Sequence, residues 1–361
     1  MDSTSTLRSV PLSHSFTREN ADDSPLTATS AAELDESSKQ QIAAMYGTIA
    51  EEMRLIEQRF HLELQTPYES LVPVLRHGTQ MGGKRLRPAM LLLSAASCGK
   101  VTDEHVILGT VIEMVHTATL IHDDVLDEAD TRRHVATVNA KWNNHTSLLL
   151  GDYLFAQAFR LAATLGSIEA CQWLGEASRL ICEGEMRQVL TRDVIELDET
   201  TYLEMIQGKT AELCRVGCLL GAKFASGTNA AVQALSDYGN AIGIAFQIAD
   251  DYLDLWGSGE RVGKTLGTDL EQGKMTLPLI RLLRTIEQRD RDQVIQLLSG
   301  PAHTRAEKIS PWLDRSDAKE YTRDVAESYR TRAIKALDVL PDTEAKQSLI
   351  AIANFAVHRR F

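Results

Sequence analysis

The stretch HTATLIHDDVLDEADTRR, His116 to Arg133, decides the reading of this chain. Its DDVLD, Asp123 to Asp127, closes an apolar run, and FQIADDYLD, Phe246 to Asp254, repeats the pattern in a second one. At about 100° per residue, His116, Thr119, Asp123 and Asp127 fall in one narrow helical stripe, while Val111, Met114, Ala118, Ile121 and Val125 spread over the rest. Asp124 lies at the stripe's edge. In the second run Gln247, Asp250, Asp251 and Asp254 repeat the i, i+3, i+4, i+7 face, and Gly239 and Gly243 permit a close helical neighbour. Each polar face therefore points inward. Three ionised carboxylates within a turn repel one another and are costly to desolvate, so they persist on a pocket wall mainly when cations sit between them. One DDxxD alone is more often a solvated helix face, and a lone His116 a core histidine. Two clusters in one chain imply several divalent cations facing one polyphosphate.

Cationic segments flank both clusters. GGKRLRP, Gly82 to Pro88, sets Lys84, Arg85 and Arg87 at the head of an apolar helix, where glycines allow an anion close to the backbone. Arg132 and Arg133 follow the first cluster directly. Lys209 and Thr210 in GKTAEL offer a cation and a hydroxyl, or else mark a capped helix start. The glycine-rich segment from Trp256 to Pro278, with Lys264, Asp269 and Lys274, reads as a lid over a polyphosphate. Each basic turn or loop taken singly is equally a solvated surface feature.

Length and composition fit one large all-α domain: 361 residues, 43% hydrophobic, with only 9 prolines and few alternating β-branched runs. The net charge of −12 argues against a nucleic-acid partner, whose phosphates it would repel. Five cysteines without a C-x-x-C pair suit a reducing compartment, and Cys214 and Cys218 share a face as core packing. Residues 1–38, rich in Ser, Thr, Asp and Glu, are expected to be a disordered extension, and residues 39–361 the single domain. A transit peptide is the alternative for that extension, so the expected location is cytoplasmic or, on that alternative, an organelle matrix. The most apolar window, Val106 to Ile121, is broken by Glu113 and His116 and reads as too short to span a bilayer.

With these motifs in place the chain resembles the trans-isoprenyl diphosphate synthases. GGKRLRP, HTATLIHDDVLDEADTRR, GDYL, GEMRQ, GKTAEL, FQIADDYLD and GKTLGTDLEQGKMTLP stand in that family's order, and ALDVLPDTEAKQSLIAIANFAVHR near the end resembles its long-chain bacterial octaprenyl and solanesyl members. The resemblance covers about residue 40 onward. It implies ten or more antiparallel helices around a deep central cavity, usually as a homodimer, with transient membrane contact for product release. It implies that Lys84, Arg87, His116 and Arg133 bind isopentenyl diphosphate, with Arg85 among the substrate-binding residues. Asp123, Asp127 and Asp250 would hold Mg²⁺, three ions per site with Mn²⁺ as a substitute, within the catalytic clusters that Asp124, Asp251 and Asp254 complete. Arg132, Lys209, Thr210, Gln247, Lys264 and Lys274 would contact the allylic diphosphate or the cation it leaves.

The implied reaction is ionisation of an allylic diphosphate, attack by the double bond of isopentenyl diphosphate, and loss of a proton to the released diphosphate. Oxygen-only ligands favour magnesium over zinc. In short-chain members bulky aromatics four or five residues before the first cluster close the cavity; here Ala118 and Thr119 stand there. The channel is therefore expected to pass them along Val115, Ile112 and Leu108, to a floor at Trp173 and Leu174, giving eight or more isoprene units. A terpene cyclase fits poorly, since it needs no GGKRLRP and usually carries an Asn/Ser/Glu second motif. A non-catalytic subunit of a heteromeric synthase fits poorly too, because such subunits lose the aspartates kept here. A three- or four-unit product remains the alternative within the family.

Overall fold

The computed structural model describes residues 45–79, 83–257 and 266–358, so the expected extension at 1–38, Gly82 and Lys264 lie outside the described residues. Helices make up almost all of it: α1 (Ala50–Glu63), α2 (Val72–Thr79), α3 (Leu86–Cys98), α4 (Asp103–Leu126), α5 (Val138–Lys141), α6 (Asn144–Ala163), α7 (Ile168–Leu190) and α8 (Glu199–Ile206). A π turn (Gln207–Ala211) leads into α9 (Glu212–Phe224), followed by α10 (Asn229–Trp256), α11 (Thr268–Glu271), α12 (Leu277–Thr285), α13 (Gln288–Leu298), α14 (Arg305–Arg315), α15 (Ala318–Ala336) and α16 (Glu344–Val357). The strands among the described residues are a two-residue pair, Thr131–Arg132 with Val135–Ala136, whose tip residues Arg133 and His134 both take positive φ.

Local chemistry sets the helix starts. The side chains of Asn143, Ser167, Asp198, Thr228 and Thr343 each accept a backbone N–H that the first turn leaves unpaired. Thr102 and His105 form a reciprocal capping pair at the head of α4.

The bundle is built around α4. This helix packs most extensively on α6 and also meets α3, α1 and α9, while α10 runs between α9 and α15. Leu91, Leu92 and Leu93 of α3 and Leu108, Ile112 and Met114 of α4 are fully buried. With 24 residues, α4 is long and apolar enough by length and composition to cross a bilayer, longer than its apolar window suggests because the polar ends are helical too. Yet 67% of its most apolar stretch is buried in the bundle, which makes it a core helix. Gly239 and Gly243 do lie against a neighbour's backbone, at Cys214 and Ala211. Tyr238, fully buried, donates to the Leu349 carbonyl at 2.7 Å and ties α10 to α16.

Candidate active site

The first acidic cluster lies at the carboxyl end of α4, with Asp127 as its C-cap. Asp123 Oδ2 stands 3.9 Å from Lys209 Nζ, and that ammonium also meets Glu185 at 2.5 Å and Gln188 Oε1 at 2.7 Å. Lys209 reaches this point because it sits on the π turn, where the helix widens by one residue. The turn presses against α7 so closely that a Cβ at Gly184 would lie 2.4 Å from the Lys209 amide nitrogen. Lys209 is thus neither a helix start nor a surface cation. Burial raises the Asp123 carboxyl to about 6, with Lys209 opposing that rise and Glu185 and Asp127 adding to it.

Asp127 faces two cations. Its Oδ1 is 2.9 Å from Arg192 and its Oδ2 is 3.1 Å from Lys274 Nζ, which in turn lies 3.6 Å from Asp269. Arg192 belongs to none of the motifs read from sequence; it follows α7 and is brought in by the tertiary fold.

On α10 the three carboxylates have different surroundings. Asp250 is half-buried. Asp251 is buried, accepting from Tyr202 at 2.5 Å and from the Gln247 amide at 2.8 Å, and Gln247 Oε1 accepts from the Thr210 hydroxyl at 2.7 Å. Burial, with Asp269 next, holds the Asp251 carboxyl well above the usual range. Tyr202 escaped sequence reading because its partner lies 49 residues away. Asp254 accepts from the Thr268 amide (3.2 Å), the Thr268 hydroxyl (2.6 Å) and the Asp269 amide (3.1 Å), so it caps α11. Burial and Asp269 raise it to about 6.

Two bridges join the clusters into one site. The π turn sends Lys209 to α4 and Thr210 to α10. The segment around α11 connects Asp254 through Asp269 and Lys274 to Asp127. Among the described residues no three His, Cys, Asp or Glu side chains converge on a point that would hold a metal ion. The oxygens presented here are carboxylates, a donor type that suits hard divalent cations.

The arginine cluster divides in the same way. Arg85 takes a left-handed φ of 49° and pairs with Glu113 at 2.5 Å and Glu57 at 3.2 Å, which turns it into the bundle. Asp124, 1% exposed, pairs with Arg132 at 2.6 Å and so anchors the hairpin that carries Arg133. The Arg133 guanidinium lies over Gly83. Arg87 is 3.2 Å from His116 Nε2; a guanidinium only donates, so that nitrogen accepts and the imidazole proton sits on Nδ1. Burial and Arg87 hold His116 well below its ordinary range, hence neutral. Lys84 Nζ stands over the Phe355 ring at 4.4 Å, and Tyr46 donates to the Lys84 carbonyl at 2.5 Å. Neither aromatic was legible as a site residue.

Below Asp123, Thr119 is half-buried and donates to the His116 carbonyl at 2.8 Å. Leu108, Ile112 and Val115 are buried, and Ile112 reaches toward Gly217 of α9. Ala118 is fully buried and shares its face with His122, which meets Gly151 and Leu148 of α6. It therefore faces the α4–α6 contact. Leu174 is buried, whereas Trp173 lies under the Arg215 guanidinium, 5.3 Å away, and lines a surface groove of about 480 Å³ with Asn229, Ser236 and Asn240.

Comparison with known proteins places the chain in a family. Residues 68–313 match the polyprenyl synthetase family. The chain is 39% identical over 282 residues to octaprenyl diphosphate synthase of Escherichia coli K12, covering 77% of this chain and 86% of that one. Its fold superposes with a TM-score of 0.82 on a decaprenyl diphosphate synthase from Rhodobacter capsulatus, at 34% identity, covering 88% of this chain and 99% of that one. It also superposes on a polyprenyl synthase from Caulobacter crescentus complexed with calcium and isoprenyl diphosphate, with a TM-score of 0.83, 34% identity and coverage of 89% and 98%. The all-α architecture expected from the motifs is thus the architecture of these enzymes, and the chain belongs to the polyprenyl synthetase family.

Proposed function

We propose that the space between the two aspartate clusters holds the diphosphate of an allylic substrate with its divalent cations, and that the chain adds isopentenyl diphosphate to it repeatedly. The carrying observation is the pair of bridges, Lys209–Thr210 and Asp269–Lys274, which tie the two clusters to each other. Asp123, Asp127 and Asp250 present the oxygens for Mg²⁺, for which we propose three ions. When bound, these ions neutralise the departing diphosphate and so favour ionisation of the allylic C–O bond. Lys209 and Lys274 bring fixed positive charge to the same leaving group. Thr210, Gln247, Tyr202 and Asp251 form a hydrogen-bonded row beneath it, and Asp254 holds the segment that supplies Lys274. Asp124 and Arg85 then act as positioning residues.

Isopentenyl diphosphate is assigned to Lys84, Arg87, neutral His116 and Arg133, about two helical turns and a hairpin away from the metals. Arg87 Nε is buried without a partner, a donor suited to a phosphate oxygen. The proton lost after condensation goes to the released diphosphate. Thr119, Val115, Ile112 and Leu108, on the face beneath Asp123, carry no aromatic ring, which supports a long product of eight or more units. We further propose a homodimer, formed through the exposed apolar residues Leu149, Ile168, Met186 and Leu190 of α6 and α7.

Asp123→Ala and Asp250→Ala test the assignment. Each removes a metal ligand whose effect is felt as the C–O bond breaks, so turnover should fall by about three orders of magnitude or more with helicity intact. Near-normal turnover in either folded variant would sink it.

A further inference from the structure

We infer that Arg192 is a further ligand of the allylic diphosphate, held by Asp127 until divalent cations arrive and then turned onto the phosphate oxygens. The inference rests on the proposed placement of that diphosphate and adds a residue outside every motif. Arg192 donates to Asp127 Oδ1 at 2.9 Å and its end nitrogens lie 3.4 Å from the Leu126 carbonyl, while its Nε is buried without a partner. Its guanidinium thus has unspent donor capacity inside the site. The backbone beside it is clamped. Asp193, at a φ of +59°, donates its amide to the Gly273 carbonyl at 2.8 Å, and its carboxylate meets Arg305 at 2.7 Å. This clamp sets Arg192 next to Lys274, and both reach Asp127 from opposite oxygens. A cation taking Asp127 releases Arg192 at the place where the diphosphate charge accumulates. A planar guanidinium suits two phosphate oxygens at once, which an ammonium cannot match.

The experiment is calorimetric binding of farnesyl thiodiphosphate, in which sulfur replaces the bridging oxygen and slows ionisation, to the wild-type chain, Arg192→Gln and Arg192→Lys, with and without Mg²⁺. With Mg²⁺, Arg192→Gln should bind roughly ten- to a hundred-fold more weakly, the range for losing a charge-assisted hydrogen bond, and Arg192→Lys should recover part of the loss. Without Mg²⁺ the three should bind alike, because Asp127 holds the side chain back. Isopentenyl diphosphate affinity should be unchanged, which separates this role from general loosening of the site. Equal affinities of wild type and Arg192→Gln in Mg²⁺ would overturn the inference, as would an equal gap without the metal. If the wild-type chain itself fails to bind the analogue in Mg²⁺, the placement of the diphosphate fails first.

Discussion

Thr119→Phe is the perturbation that probes chain length most sharply. Thr119 lies four residues before Asp123, about 6 Å deeper along α4 and about 40° from it around the axis. An extended isoprene unit adds four backbone bonds at about 1.2 Å each, or roughly 5 Å. A ring at position 119 therefore leaves space for little more than one unit below the metals. Thr119 is only half-buried, so the ring can enter without unfolding α4, and the lost hydroxyl bond to the His116 carbonyl costs about 1 kcal/mol. The expected product is therefore about two units, with the first condensation retained and further elongation blocked. Ala118→Phe is the control. Its ring meets α6 rather than the channel, so it should lower stability by about 1–3 kcal/mol through overpacking and shorten the product less. Mass spectrometry of products from both variants decides. A Thr119→Phe enzyme that still makes the wild-type length, or an Ala118→Phe enzyme that alone shortens it, would refute the assignment of faces on α4.

Two further outcomes are expected. Neutralising Lys84 and Arg87 should raise KM for isopentenyl diphosphate about ten-fold or more while moving that for the allylic substrate much less, and equal losses would mean that the two sites are misplaced. The second outcome concerns pH. Asp123 and Asp254, raised to about 6 when folded, stay protonated in the metal-free protein over a range where the unfolded chain has ionised. The folded state then binds more protons, so metal-free stability should fall as pH rises from about 4 through 6. Asp123→Asn should flatten part of that fall and stabilise the metal-free protein at pH 7 by about 1–3 kcal/mol. Melting curves from pH 4 to 8 check it; a loss of stability at pH 7 would count against the strain assigned to this carboxylate.

The acidic stripes were legible because helical period alone places Asp123 near His116 and Asp250 near Gln247. Their division of labour was not. Helical period sets Asp124 only at the edge of its stripe, and what gives Asp124 and Asp251 their own roles is burial against Arg132 and Tyr202, contacts made by hairpin geometry and by a residue 49 positions away. Lys209 carried a signal of function but none of its π turn, since the extra residue comes from packing against Gly184. Arg85 stood with Lys84 and Arg87 in one basic cluster, yet a left-handed backbone turns it to Glu57 and Glu113. The floor expected at Trp173 shows the limit of apolar character as a guide. An indole is as stable under a guanidinium at a surface groove as at the end of a cavity, and only the helix's rotation decides between them.

The central claim, Mg²⁺-dependent elongation to a long chain, is tested most directly by the mass of the product. The pure protein would be incubated with Mg²⁺, excess isopentenyl diphosphate and farnesyl diphosphate, with a metal-chelated control. All-trans polyprenyl diphosphates of eight or more units are expected, formed only when the metal is present. Products that stop at three or four units, or elongation that persists without divalent cation, would contradict that claim.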